Sequence, residues 1–123
     1  MNGILCAFDC AAPVPLASNA AATHLFRIAQ EAVHNAIKHG NARRVIISLH
    51  QRGSIDLSIQ DDGIGINHKA RDAVGSGLRI MAYRARIIGG TLAITPASPT
   101  GTLVRCTLPI PPKNPERAPL NTL

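Results

Sequence analysis

Three short stretches of the chain carry acidic, amide and glycine residues at spacings that suit binding chemistry. In the first, Gln30-Glu31-Ala32-Val33-His34-Asn35-Ala36-Ile37-Lys38-His39, Glu31 and Asn35 lie four residues apart. On a helix they stack on one face, and Lys38 and His39 carry that face a turn further. A carboxylate beside an amide oxygen suits a hard cation such as Mg²⁺, which takes a few protein oxygens together with phosphates and water. A solvated stripe on an amphipathic helix has the same pattern, so this stretch alone does not decide. The second stretch is Asp61-Asp62-Gly63-Ile64-Gly65-Ile66, directly after an alternating segment. A carboxylate at a strand end can accept a hydrogen bond from an exocyclic amine, and glycines let backbone approach a flat or phosphorylated ligand. A plain Asp-Gly turn is equally compatible with it. The third is Gly75-Ser76-Gly77-Leu78 ahead of a helical pattern. Free N–H groups at a helix N-terminus attract anions. One Gly-x-Gly is weak evidence and gains weight from following the other two in order.

These stretches need elements to hold them. Leu25, Ile28, Ala29, Ala32, Val33, Ala36 and Ile37 recur at three- and four-residue intervals and predict a helix over 23–39, capped by Thr23 or Ser18. Gly40 stands where a left-handed C-terminal residue is wanted. Segments 44–50 and 54–60 alternate apolar and polar residues around a Gln51-Arg52-Gly53 turn, which predicts a hairpin with one buried face. Segment 3–8 reads as a short strand, 61–77 as a glycine-rich mobile loop, and 78–88 as a second helix stopped at Gly89-Gly90. Two more strands are expected over 91–95 and 102–110. The sum is an α+β fold, a two-layer sandwich of a mostly antiparallel sheet packed on helices.

With 123 residues, the chain offers one domain's worth of core. It has no Trp, one Tyr and two Phe, so that core must be aliphatic. The formal charge of +6 raises nucleic acid as a partner. Single-strand binders stack bases on aromatic rings, however, and Arg43, Arg44, Lys69, Arg71, Arg79, Arg84 and Arg86 have almost no aromatics among them. No nucleic-acid partner is expected; a phosphate-rich small ligand, an acidic protein or plain solubility accounts for the same charge. No apolar run approaches the roughly eighteen residues that span a bilayer, and Met1-Asn2-Gly3 does not open a secretory signal. A cytoplasmic module without membrane contact of its own is expected. Cys6, Cys10 and Cys106 are odd in number and form no Cys-x-x-Cys pair, so reduced, mostly buried thiols are expected. His34 and His39, five apart, share a helix face poorly, which argues against a transition-metal site with His24, Cys6 and Cys10.

Taken together, QEAVHNAIKHG, DDGIGI, GSGLRIMAYRARIIGG and GTLVRCTLPI resemble the N box, G1 box, G2 box with its helix, and closing strand of the GHKL ATPases. That family shares the Bergerat ATP-binding fold. Within it, the chain looks like the catalytic domain of nitrate-sensor-like histidine kinases, over about residues 3–110. The resemblance implies a catalytic domain over 1–110, leaving 111–123 as a proline-rich tail expected to be disordered. It implies that Asn35 ligates a Mg²⁺ bridging the phosphates of ATP, and that Glu31 polarises or positions the attacking group. Asp61 would hold the adenine amino group, with Gly63 and Gly65 shaping the wall beside it. Ile66 would join the nucleotide site where a short ATP lid begins, running to Val74. Gly75, Gly77 and Leu78 would close the phosphate side, Thr102 would support the adenine, and Lys38 and His39 would face phosphate oxygens.

The implied reaction is transfer of the ATP γ-phosphate to a histidine on a separate dimerising helical domain, with a response regulator downstream. The chain departs from the family pattern in two ways. Tyr83 precedes Arg84 where an acidic residue is common, which is expected to affect interdomain contacts and not ATP binding. The five histidines are followed by Leu25, Asn35, Gly40, Gln51 and Lys69, none of them the acidic residue usual after a phosphoacceptor, so that histidine is expected on another segment. The rival is a regulatory GHKL module of the anti-sigma-factor type, whose helix has a similar pattern. GSGLRIM followed by RARIIGG resembles the kinase branch instead.

Overall fold

The computed structural model describes residues 5–10, 19–65 and 75–109. Over these the chain forms β1 (Leu5–Asp9), α1 (Asn19–Lys38), β2 (Arg44–Arg52), β3 (Ser54–Asp61), α2 (Gly75–Ile87), β4 (Thr91–Pro96) and β5 (Thr102–Pro109). The strands lie in the order β1-β2-β3-β5-β4. β1 runs parallel to β2, and the other three pairs are antiparallel. Both helices pack against this sheet and against each other, giving the two-layer α+β sandwich that alternation and helical periodicity predict.

Period-two patterning decides which sheet face is covered. Ile55, Leu57 and Ile59 of β3 and Val104, Cys106 and Leu108 of β5 are buried. They share one cluster with Leu25, Ile28, Ala32 and Ala36 of α1 and with Met81 and Ala85 of α2. Each fully buried Ile or Met side chain contributes about 2 kcal/mol relative to exposure. Between these inward residues stand Asp56, Ser58, Arg105 and Thr107, and the Thr107 hydroxyl donates to Asp56 Oδ1 at 2.8 Å. One-residue alternation thus aims the last inward position of β3, Asp61, toward the helices.

Several boundaries differ from expectation. Helix α1 begins at Asn19, not at 23, because Ala20, Ala21 and Ala22 extend it without strain and Ala21 is buried. Helix α2 begins at Gly75, not at 78, so the Gly-Ser-Gly stretch forms its first turn instead of ending a loop. The left-handed residue after α1 is Asn41 (φ 51°), not Gly40. Gly40 is small for another reason: an added Cβ would meet the Ala36 carbonyl at 2.9 Å. Of the three thiols only Cys106 is buried; Cys6 is exposed and Cys10 half-buried, since both lie at the sheet's edge strand. The lid expected over 66–74, with Ile66, and the tail over 111–123 lie outside the described residues.

Candidate functional site

Two adjacent carboxylates at the end of β3 meet opposite environments. Asp62 is exposed, and its Oδ1 accepts the backbone N–H groups of Arg43 and Arg44, both at 2.9 Å. Those two bonds hold its carboxyl below the ordinary carboxylate value. Asp62 therefore staples the end of β3 to the start of β2. Asp61 is 9% exposed. Its Oδ1 accepts from Gly63 N–H at 2.8 Å, and its carboxylate also accepts from the Thr102 N–H. Burial is the largest influence and pushes its carboxyl above the ordinary value. The two N–H groups pull it back, and the Asp62 charge pushes it up again.

Close backbone packing makes this possible. Gly101 has φ +107°, and the place of a Cβ there is filled by the backbone carbonyl of Asp61. A Cβ on Gly63 would likewise collide with the Gly40 carbonyl, which accepts the Ile64 N–H at 2.9 Å. The end of α1, the end of β3 and the start of β5 thus converge on Asp61 with no side chains between them.

Above Asp61 lies a cleft between α1, α2 and the sheet. Asn35, His39, Asp61, Gly65, Leu78 and Thr102 line it, all of them expected site residues. The remaining lining comes from Ala32, Ala36, Gly40, Ile59, Met81 and Val104. Periodicity carried a signal for several of these: Ala32 and Ala36 flank Asn35 on α1, and Ile59 and Val104 share strand faces with Asp61 and Thr102. Gly63 lies beneath the lining, bonded to Asp61, and exposed Lys38 lies outside it. Glu31 sits one turn before Asn35, its carboxylate packed on Gly77 of α2 where any side chain would collide. Gly75 begins α2.

Asn35 carries an unspent capacity. Its side-chain Nδ2 is buried and has no hydrogen-bond partner among the described residues. A buried donor left unpaired is costly, so this nitrogen is free to meet an acceptor brought into the cleft. The free space at the cleft floor is small, about 20 Å³, so a planar base must push side chains outward. Met81, unbranched and adaptable, is suited to yield. A larger groove of about 460 Å³ lies between α1 and the β1–β2 edge, lined by Phe8, Leu25, Phe26, Val33 and Leu49 among others. Gln30 is its one uncharged polar side chain, so it lacks the converging polar groups that recognition of a phosphorylated ligand needs.

Comparison with known proteins bears on the family and the fold. Residues 20–112 match the family model of the histidine kinase-, DNA gyrase B- and HSP90-like ATPases. The chain belongs to this ATPase family. It is 39% identical over 98 residues to the nitrate/nitrite sensor protein NarQ of Escherichia coli, covering 78% of this chain and 17% of NarQ. It is 38% identical over 88 residues to the sensor protein VraS of Staphylococcus haemolyticus, covering 71% of this chain and 25% of VraS. The chain thus spans a quarter or less of these relatives. The ATP-binding domain of PrrB from Mycobacterium tuberculosis superposes with a TM-score of 0.69 at 25% identity, covering 89% of this chain and 82% of that one. The histidine kinase AdeS of Acinetobacter baumannii shares the fold, with a TM-score of 0.72 at 16% identity over 90% of this chain and 56% of that one.

Proposed function

We propose that this domain binds ATP with Mg²⁺ in the α1–α2 cleft and, within a longer sensor histidine kinase, presents the γ-phosphate to a histidine on a separate dimerising domain. The observation that carries this reading is the pairing of a buried, backbone-held carboxylate at the cleft floor with a buried amide nitrogen on α1 that is unpartnered among the described residues. Asp61 accepts the adenine amino group and Thr102 buttresses it. Gly63 keeps the Asp61 carboxylate turned into the cleft, and Gly65 forms the wall beside it. Ile59, Met81 and Val104 supply the apolar surfaces for the ring.

Asn35 offers its amide oxygen to the cation, and its buried Nδ2, unpartnered among the described residues, is a donor suited to a phosphate oxygen. Among the described residues no group of three or more His, Cys, Asp or Glu gathers as a metal cage, and Mg²⁺ held largely by phosphates and water needs none. When bound, the cation would neutralise negative charge on the phosphates during transfer. His39 and Lys38 stand near the phosphate end, Gly75, Gly77 and Leu78 bound that side, and Glu31 positions the incoming imidazole. Transfer of this kind relies on alignment and charge neutralisation, so the domain alone binds nucleotide and turns over little.

The partner domain meets the outer face of α2. Ile80, Tyr83 and Ile87 are exposed there and recur at three- and four-residue spacing beside the cleft. Tyr83 stands where the family resemblance leads an acid to be expected. A response regulator receives the phosphate downstream, and the similarity to sensor proteins favours this reading over an anti-sigma-type module. No described helix is long and apolar enough to cross a membrane; the domain belongs at the cytoplasmic end of its sensor. Titration with trinitrophenyl-ATP, with and without Mg²⁺, tests the core claim. Saturable, Mg²⁺-strengthened binding that ATP competes away is expected; no binding at millimolar nucleotide overturns it.

A further inference from the structure

Helices α1 and α2 run antiparallel, and two side-chain contacts tie them at matching places. Near the cleft, the Glu31 carboxylate packs on Gly77. Seven residues earlier on α1 and seven later on α2, Arg84 Nη1 meets His24 Nδ1 at 3.1 Å, with both residues half-buried. Seven residues make about two helical turns, roughly 10 Å of axis, so the two ties have the same separation on both helices. Between them on α2 stand Leu78 and Met81, both lining the cleft.

We propose that Arg84 is a positioning residue for the nucleotide cleft, acting through His24 to fix the register of α2 on α1. A guanidinium only donates hydrogen bonds. His24 Nδ1 is therefore the acceptor, and its proton sits on Nε2. The glycine tie by itself stops α2 at one depth but leaves it free to pivot or slide, because a carboxylate lying over a glycine is not directional. The Arg84–His24 bond is directional and removes that freedom at the far end. With both ties in place, Leu78 and Met81 are held over Asn35 and Asp61, and only their side chains need yield to admit a base. Without Arg84, α2 shifts by fractions of a turn, and the ring loses its apolar wall while the core remains folded around Ile28 and Ile59.

The inference rests on the ATP reading, and the experiment separates the two. Long-range ¹H–¹⁵N correlation on the nucleotide-free domain at neutral to mildly alkaline pH reports the His24 tautomer without any ligand. The Nε2–H form is expected; the Nδ1–H form overturns the contact whatever the domain binds. Trinitrophenyl-ATP affinity is then compared in Arg84→Met, Arg84→Lys, His24→Leu and His24→Asn, alongside Ile55→Val, a core change far from the cleft. Asparagine places its oxygen near the Nδ1 position, so His24→Asn should bind as the parent does. His24→Leu and Arg84→Met should weaken nucleotide by about three- to tenfold, the scale of one ordinary hydrogen bond. Ile55→Val should lower the melting temperature without changing affinity. If it weakens nucleotide as much as Arg84→Met does at equal loss of melting temperature, Arg84 is merely structural. Should Arg84→Met fail to fold, the tautomer and the His24 pair still decide. Absence of binding by the parent domain would overturn the ATP reading and leave the tautomer result standing.

Discussion

At the residue scale, the two neighbouring aspartates show how environment divides one dipeptide into a site and a staple. In the proposed role the ionised Asp61 carboxylate accepts an adenine N–H besides those of Gly63 and Thr102, yet burial raises its carboxyl above the ordinary 3.8. If nucleotide binding favours the charged form, affinity should fall on acidification from a pH above 3.8. ATP's own phosphates titrate too, and Asp61→Asn isolates the difference: affinity weaker throughout, with the carboxylate-dependent part of the pH slope gone. A parallel slope in parent and variant would show that Asp61 does not face the ligand. The sign for folding is opposite. A raised native value means the native state holds the proton longer, so Asp61 lowers stability as pH rises from 3.8 through its raised value. Asp62, with its value lowered, contributes stability above 3.8 that is lost as pH falls through the lowered value. Asn35→Ala should spare adenine recognition and abolish the Mg²⁺ dependence, measured by the same titration in EDTA and in excess Mg²⁺. Residue type and order made Asp61 and Asn35 legible in the sequence. Nothing in the letters Asp-Asp told that the second carboxylate binds the Arg43 and Arg44 amides, since those partners lie eighteen and nineteen residues away.

At the element scale, the hairpin β2–β3 and the core face of α1 follow directly from periods of two and 3.6. Structure and local pattern part where packing overrides propensity. Gly75 and Gly77 look like loop residues by propensity, yet both fall within α2, where Glu31 lies against Gly77. The glycines around Asp61 are the stronger case: they resemble ligand-approach residues, and in the fold they let three backbones meet. This distinction is testable. Gly101→Ala places a Cβ into the Asp61 carbonyl at φ +107°, so it should destabilise by more than the roughly 1–2 kcal/mol of left-handed strain alone. It should also dislodge Asp61 and weaken nucleotide binding. Gly53→Ala, at φ +68° with nothing within 4 Å, carries only the strain, about 1–2 kcal/mol, and should leave binding untouched. Chemical denaturation with a parallel nucleotide titration checks both. Equal stability losses would mean that the Gly101 approach is relaxed in solution.

At the scale of the whole molecule, the cleft and the core are one structure: Ile59, Met81 and Val104 belong to both. A ligand seated there should therefore stabilise the entire fold and not a local flap. Cys106 gives a way to see this. It is fully buried on β5, and burial, with the nearby Asp56 charge, pushes its thiol up to about 11. At pH 8 it resists alkylation while folded, both for lack of access and for lack of thiolate. Cys6, exposed on β1, should react at once and serves as the internal reference. Cys106 then reacts only when the sheet opens, and at slow alkylation its rate follows the population of open molecules. A ligand that binds only the native state lowers that population by the factor 1 + [L]/Kd, so Mg·ATP at 100 times its dissociation constant should slow Cys106 labelling about 100-fold. Peptide-resolved mass spectrometry of iodoacetamide labelling measures the two sites together. Unchanged Cys106 labelling beside demonstrated nucleotide binding would mean that β5 opens without emptying the cleft. The shared core, with Val104 lining the cleft two residues from Cys106, predicts that the two events are one.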